Sequence, residues 1–279
     1  MWTPADRALV GDFGSGQTLT DDQFRLLKPL IPPAKSGGRP RTTDIRNLLD
    51  GLFYLVRTGC QWRHLPPPPA FPVAYGVWLP ARFPAGRRVG EHPPPFPGHA
   101  ARGCGAEASP TAAIIDTQSV RTTESGGPRG WDAAKRLKGR KRHIVVDTDG
   151  LLLGVIVHAA DIQDADSLGD LLKRVKPLCA WLRVLFADSI YNRLAALLAC
   201  ILAGLVLIIV RRAAGTTGCV VQPRRWVVER SLGWFGRWRR LSKDYEALPE
   251  VSEAMVTLAA IRLMLHRLAH PNRRRLTAP

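Results

Sequence analysis

The sequence predicts an α/β fold: a mixed-sheet domain over residues 109–270, preceded by a small helical module over 19–65. Two patterns and a charge imbalance carry the prediction. In the longer region, β-branched apolar runs alternate with amphipathic helical stretches, in the order three strands, helix, strand, helix, strand, helix. In the shorter region only the 3.6-residue period is present. Across the chain Lys and Arg outnumber Asp and Glu, 40 against 23, for a formal charge of +17 in 279 residues. Such an excess calls for a polyanionic partner. Nucleic acid is the usual one, because each neutralised phosphate releases counterions. An arginine-rich genome is the competing explanation.

Residues 1–18 are glycine-rich and aperiodic, a flexible arm. Thr20 to Gln23 forms a capping box, with Leu19 and Phe24 placed as its hydrophobic staple. The helix it opens ends at Pro29 and Pro32-Pro33. A second helix starts near Thr43-Asp44, with Ile45, Leu48, Leu49, Leu52, Phe53 and Val56 on one face. The two helices suit a helix-turn-helix-like DNA-binding module or an ordinary helical hairpin. Between them, Gly38-Arg39-Pro40-Arg41 is an extended basic segment. Arg39 and Arg41 could enter a narrow minor groove or stand in a solvated loop.

Residues 66–108 break the pattern. Eleven of the chain's 23 prolines fall between Pro66 and Pro97, which leaves no helix or strand period and predicts a disordered linker. Beyond it come strand 112–116, a basic loop from Lys135 to Arg142, strand 143–147, the turn Asp147-Thr-Asp-Gly150 and strand 151–157. Helix 165–175, strand 182–187, helix 191–203, strand 205–210 and a helix around Glu229 follow. A last helix runs over about 250–269, with Val251, Met255, Leu258, Ile261, Leu265 and Leu268 facing the core. Residues 271–279 form a basic tail.

Several classes are excluded. The five cysteines are odd in number and widely spaced, which argues against a disulfide framework or a zinc site. The N-terminus lacks the apolar core of a secretory leader. No Gly-x-x-x-x-Gly-Lys loop is present, so no nucleotide cofactor is expected. Leu194 to Val210 carries no charge. Gly204 divides it into a helical and a strand-like half, so a buried helix and a buried strand explain it better than a membrane span.

Three carboxylates stand apart. Asp116 and Asp188 close apolar strand-like runs, and Glu229 lies on an arginine-rich helix. Two strand-end aspartates and a helical glutamate can converge on a pair of divalent cations. A strand-ending aspartate can also simply cap a turn, and Glu229 can simply pair with Arg225. On a helical wheel, Arg225, Gly233, Gly236 and Arg240 fall within about 40° of Glu229, opposite an aromatic face. Asp147, Asp149, Asp161, Asp164 and Asp166 read as turn or helix-start residues, Asp161 least firmly.

Ile114-Ile-Asp-Thr-Gln-Ser-Val120, Phe186-Ala-Asp188 and Arg224-Arg-Trp-Val-Val-Glu229-Arg-Ser-Leu-Gly-Trp-Phe-Gly-Arg237 resemble the DDE transposases of bacterial insertion sequences, in the insertion-sequence-five group. Leu19-Thr-Asp-Asp-Gln-Phe24 and Arg57-Thr-Gly-Cys-Gln-Trp-Arg63 share the resemblance. It implies an RNase H-like catalytic domain that cleaves DNA and transfers strands. Asp116 would bridge two Mg2+ ions, with Mn2+ able to substitute, and Asp188 and Glu229 would each complete one site. The implied partner is double-stranded DNA, as terminal inverted repeats and target, bound by a homodimer in the cytoplasm at the nucleoid. Arg225, Arg230, Arg237, Arg240 and Lys243 would hold phosphates, as would Arg39 and Arg41. The chain departs from the family in three places. Ser189-Ile190 precedes Tyr191 where a glycine is usual, Gln222 stands where tyrosine is frequent, and amphipathic helices are missing over 66–108. Compensating frameshifts would account for the last. Two other readings follow: a degenerate copy acting only as a DNA-binding protein, and another RNase H-like nuclease such as a junction resolvase.

Overall fold

A computed structural model describes residues 18–33, 41–65, 110–211 and 222–269. The expected arm (apart from Thr18), Arg39, the proline-rich segment and the basic tail lie outside them. Helix α1 (Asp21–Leu27) opens with the capping box: Thr20 Oγ1 accepts from the Gln23 N–H, and Gln23 Oε1 accepts from the Thr20 N–H. Asp44 caps α2 (Ile45–Thr58) by accepting the Arg46 and Asn47 N–H groups. Gly59, at a φ of 70°, ends it in the left-handed conformation that glycine adopts without cost.

The sheet comprises β1 (Ala112–Arg121), β2 (Gly130–Asp132), β3 (Leu137–Asp147), β4 (Leu152–Ala159), β5 (Val184–Ala187) and β6 (Val206–Ile209). Strand β3 pairs antiparallel with β1, with β4 and with the short β2. Strand β5 lies parallel to both β1 and β6. The path is β2–β3–β1–β5–β6, with β4 also on β3. Helices α3 (Asp164–Val175) and α4 (Leu194–Leu202) make the crossovers, and α5 (Trp226–Phe235) and α6 (Pro249–Ala269) close the chain. Hairpin strands first and βα units after: this is the RNase H-like mixed sheet expected.

Because side chains alternate along a strand, β1 feeds two cores. Ile114 joins Ile144, Phe186 and the apolar faces of α2, α5 and α6. Ala113 and Ile115 join Val145, Leu185 and the buried sides of α3 and α4. On α6, buried Glu253 accepts the Val157 N–H of β4 and pairs with Arg174 of α3 at 2.7 Å, tying the last helix to the outer strand.

Three expectations need correction. Strand β1 does not stop at residue 116, and the basic run Lys135–Arg142 is not all loop, since β3 begins at Leu137. Arg140 and Arg142 are tolerated within a strand because most of their guanidinium N–H groups find acceptors inside. Arg140 donates to the carbonyls of Pro128, Glu246 and Ala247 and pairs with Asp244 at 3.3 Å. Arg142 donates to the carbonyls of Leu241 and Lys243.

The N-terminal helices, secondly, are not a separately tethered module. Leu55 and Val56 are fully buried in the core shared with α5 and α6, while Leu19, Leu27 and Phe53 pack with Leu265. Thirdly, the uncharged run 194–210 is only half buried. Ala196 and Cys200 face the core, whereas Leu194, Leu202 and Val206 are exposed, because α4 covers one face and β6 is the edge strand. Among the described residues no helix is long and apolar enough to cross a membrane.

Candidate active site on β1 and beyond β5

Two residues past Ile114, Asp116 lies on the same side of β1 as Ile114, the side that faces α5. Strand β5 runs parallel with Ile114 opposite Phe186, and the same two-residue step beyond Phe186 leads to Asp188. Register therefore brings the two aspartates onto neighbouring strands, on one face. There Asp188 caps a 3-10 turn, Ser189–Tyr191, accepting from the Ser189 N–H and, at 2.9 Å, from its hydroxyl. Ile190, where the family usually has glycine, fits the turn without a left-handed φ and points outward.

Glu229 stands in the first turn of α5. Arg225, just before the helix, lies between the carboxylates, with its Nη2 3.2 Å from Asp188 Oδ2 and 3.5 Å from Glu229 Oε1. Burial raises the Asp116 pKa above the usual carboxylate range. The Thr117 N–H and Arg225 oppose that rise, and the charges of Glu229 and Asp188 add to it. All four side chains thus share one electrostatic site.

Behind it runs a buried polar network on the opposite face of β1. Thr117 Oγ1 is 2.7 Å from Tyr191 Oη and 3.1 Å from His143 Nδ1, and Ser167 Oγ lies 3.2 Å from His143 Nε2. Burial holds the His143 pKa well below its ordinary value, so the ring is neutral. Sequence reasoning passed over His143 and Ser167 and gave Thr117 and Tyr191 no role behind the site. The one available signal was Thr117-Gln-Ser119, a polar run continuing an otherwise apolar strand.

The basic residues divide. Helix α5 ends at Phe235, so Arg240 is not on the Glu229 face. It lies in a separate 3-10 turn, is buried, and pairs with Glu246 at 2.7 Å while donating to the Cys60 carbonyl. Arg230 is clasped between Trp226 and Trp234, 4.4 and 4.6 Å from their ring centres, and donates to the Asp149 carbonyl. Internal partners thus remove Arg240 from the surface and hold Arg230 to one position. Arg237 and Lys243 are exposed. Arg237 lines an open cavity of about 550 Å³ with Arg239, Ser242 and Tyr245. Arg41 is exposed and donates to the Pro32 carbonyl. Asp147 is a turn residue as expected, accepting the Asp149 and Leu151 N–H groups.

The donor set suits hard divalent cations, since it consists of carboxylate oxygens alone. Among the described residues no three His, Cys, Asp or Glu side chains are close enough to hold one ion together. Pairs of carboxylates sharing ions fit better. The Arg225 guanidinium already marks a cation position between Asp188 and Glu229.

An RNase H-like sheet with one aspartate midway along β1, another just past the end of the neighbouring β5, and a glutamate on the facing helix suits a phosphoryl-transfer enzyme of the carboxylate type. Residues 107–264 match the family described as "Transposase DDE domain", and residues 19–89 match "Putative transposase of IS4/5 family". The chain belongs to the DDE transposases of the IS4/5 family. It is 30% identical over 152 residues to the "Putative transposase for insertion sequence element IS402" of Burkholderia cepacia, covering 52% of this chain and 70% of that one. It is 38% identical over 48 residues to "Uncharacterized protein y4sN" of Sinorhizobium fredii, covering 17% of this chain and 38% of that protein. The catalytic core domain of BIV integrase overlays 60% of this chain and 87% of its own, with 17% identity and a TM-score of 0.33. Members of the family act on DNA with divalent metal ions.

Proposed function

We propose that this transposase cuts DNA at the ends of an insertion sequence and joins those ends to a target, with Asp116, Asp188 and Glu229 as its catalytic carboxylates. The observation that supports this most is their grouping around one guanidinium, that of Arg225. Asp116, Asp188 and Glu229 would hold the divalent ions, Asp116 as the ligand common to both and Asp188 and Glu229 each for one. Bound divalent ions, two Mg2+ here with Mn2+ able to replace them, would activate the attacking water or 3′-hydroxyl and neutralise the leaving oxygen. The chain's own part is to hold three oxygens in register and to keep Asp116 partly shielded from water. Arg225, at the centre of the site, supplies a positive charge where the phosphodiester must approach. Arg237, Lys243 and Arg41 are exposed and suited to flanking phosphates, with Arg39 beside Arg41 in sequence. In this reading the protein works in the cytoplasm as a dimer assembled on double-stranded DNA.

The test uses DNA carrying the inverted repeats that flank the gene. Asp116→Asn and Glu229→Gln each remove one charge without changing shape. Each is expected to abolish metal-dependent nicking, a loss of at least about a hundredfold, and to leave binding within about twofold. Cleavage retained by either variant overturns the assignment. Wild-type protein that binds but never nicks would be an inactive copy.

A further inference from the structure

Strand β2 is three residues long, lies at the sheet edge, and turns two different faces to its surroundings. Its inner residue Asp132 is 6% exposed, with Oδ2 accepting from Ser119 Oγ at 2.6 Å and Oδ1 from the Lys135 N–H at 3.0 Å. Gly130 is seated so closely that an added Cβ would lie 2.0 Å from Asp161 Oδ1. The strand is therefore fixed. Between these two anchors Trp131 faces outward and is 56% exposed. Its antiparallel partner across the ladder is Lys138, also exposed, so the indole and the ammonium stem share one face.

Cations crowd this edge. Arg121, Arg129, Lys135, Arg136 and Lys138 are exposed around the β1–β2–β3 turns, against the exposed acids Glu124 and Asp161. Arg136 is one of two non-glycine described residues at positive φ, 49°, a conformation that side-chain-bearing residues avoid and that is common at ligand-binding turns. The edge is also close to the carboxylates. Ser119 is three residues from Asp116 on the same strand, about 10 Å, and Lys135 Nζ reaches the Thr117 carbonyl at 3.5 Å.

We propose that the outer face of β2 is a stacking platform for an unpaired nucleotide of the DNA being processed. Trp131 receives the base, and Lys138, Lys135, Arg136 and Arg129 receive the phosphates around it. An aromatic ring interleaved with cations is how proteins hold single-stranded nucleic acid without reading its sequence. The proposal rests on the DNA-cleaving reading above, and deepens it by naming the state of the substrate: one with bases unpaired close to the scissile bond.

The test is equilibrium binding of the full chain, without divalent ions so that nothing is cut. One probe is a duplex with a short single-stranded 3′ tail, and the other is the same duplex blunt. Trp131→Ala and Trp131→Leu should each weaken binding to the tailed probe by at least about fivefold, the lower end of what one stacked base contributes. Binding to the blunt probe should not change. Trp131→Phe should keep most of the tailed-probe affinity. Trp181→Ala, which removes another exposed tryptophan (64%), should change neither. Unaltered tailed-probe binding by Trp131→Leu overturns the proposal, as does an equal loss on both probes. If wild-type protein binds neither probe, the DNA reading of the whole chain fails instead.

Discussion

Asp147 is a carboxylate held almost wholly inside the protein, accepting the Asp149 and Leu151 N–H groups, and burial pushes its pKa up to about 6. Its folded-state pKa lies above the unfolded value of 3.8, so the folded form binds the proton more tightly. The stability this gives is full below about pH 3.8 and is lost as pH rises through about 6, on the order of 3 kcal/mol in all. Asp147→Asn should therefore melt higher than wild type at pH 7, the gap narrowing toward pH 4. Thermal melts of the pair across that range check it, and a gap independent of pH would contradict it. Tyr191 makes a different point. Its hydroxyl joins Thr117, beside Asp116, to the turn capped by Asp188. Tyr191→Phe should cost about 1–3 kcal/mol of stability and raise the metal concentration needed for half-maximal cleavage, read from a metal titration. The three carboxylates were legible because each closes or interrupts a recognisable pattern. The tyrosine contact was not, since it spans 74 residues and leaves no local period.

Among the elements, β3 shows where charge misleads. A run of Lys and Arg reads as solvated loop because isolated buried charges are prohibitively costly. Here Arg140 and Arg142 are strand residues with internal acceptors, and all of those but the Pro128 carbonyl come from residues 241–247, about a hundred positions downstream. Arg140 thus anchors the segment between α5 and α6 to the sheet. Arg140→Met should destabilise the protein by about 3–5 kcal/mol, because Asp244 is left buried and unpaired. Adding Asp244→Asn should recover part of the loss, and denaturant unfolding of the single and double variants measures both. Helix α5 carries the complementary lesson. Its aromatic and arginine pattern continues past Phe235, yet the chain turns at Gly236, so a wheel drawn through Arg240 assigns to the surface a side chain that is inside. Periodicity locates a helix better than it locates the end of one.

At the scale of the whole molecule, the N-terminal helices and the sheet domain share a core through α6. Leu55 and Phe53 are almost completely buried, the first against residues of α5 and α6 and the second beside Leu265. The sequence separates these regions by a composition break, and nothing in it announces that they pack together, since that contact lies between faces each of which is amphipathic on its own. Leu55→Ala should lower stability by about 2–5 kcal/mol and should do so in one transition seen alike by signals from both regions. Two separate transitions, with only the first shifted, would mean the helices fold apart from the sheet.

The same packing changes what covalent continuity between residues 65 and 110 is for. Leu65 and the Cys60–Trp62 turn lie against the common core, and Pro110 stands two residues before the strand at its centre, so both ends of the intervening stretch are fixed to one body. For a chain tied at both ends to one body, the closure entropy grows by only about 0.6 kcal/mol per doubling of its length. Cutting it altogether would give two polypeptides, and the shorter would still have its packing partners on α6. A protease-nicked molecule would then remain a single particle under native conditions and come apart only on denaturation, a split protein held by its hydrophobic seam.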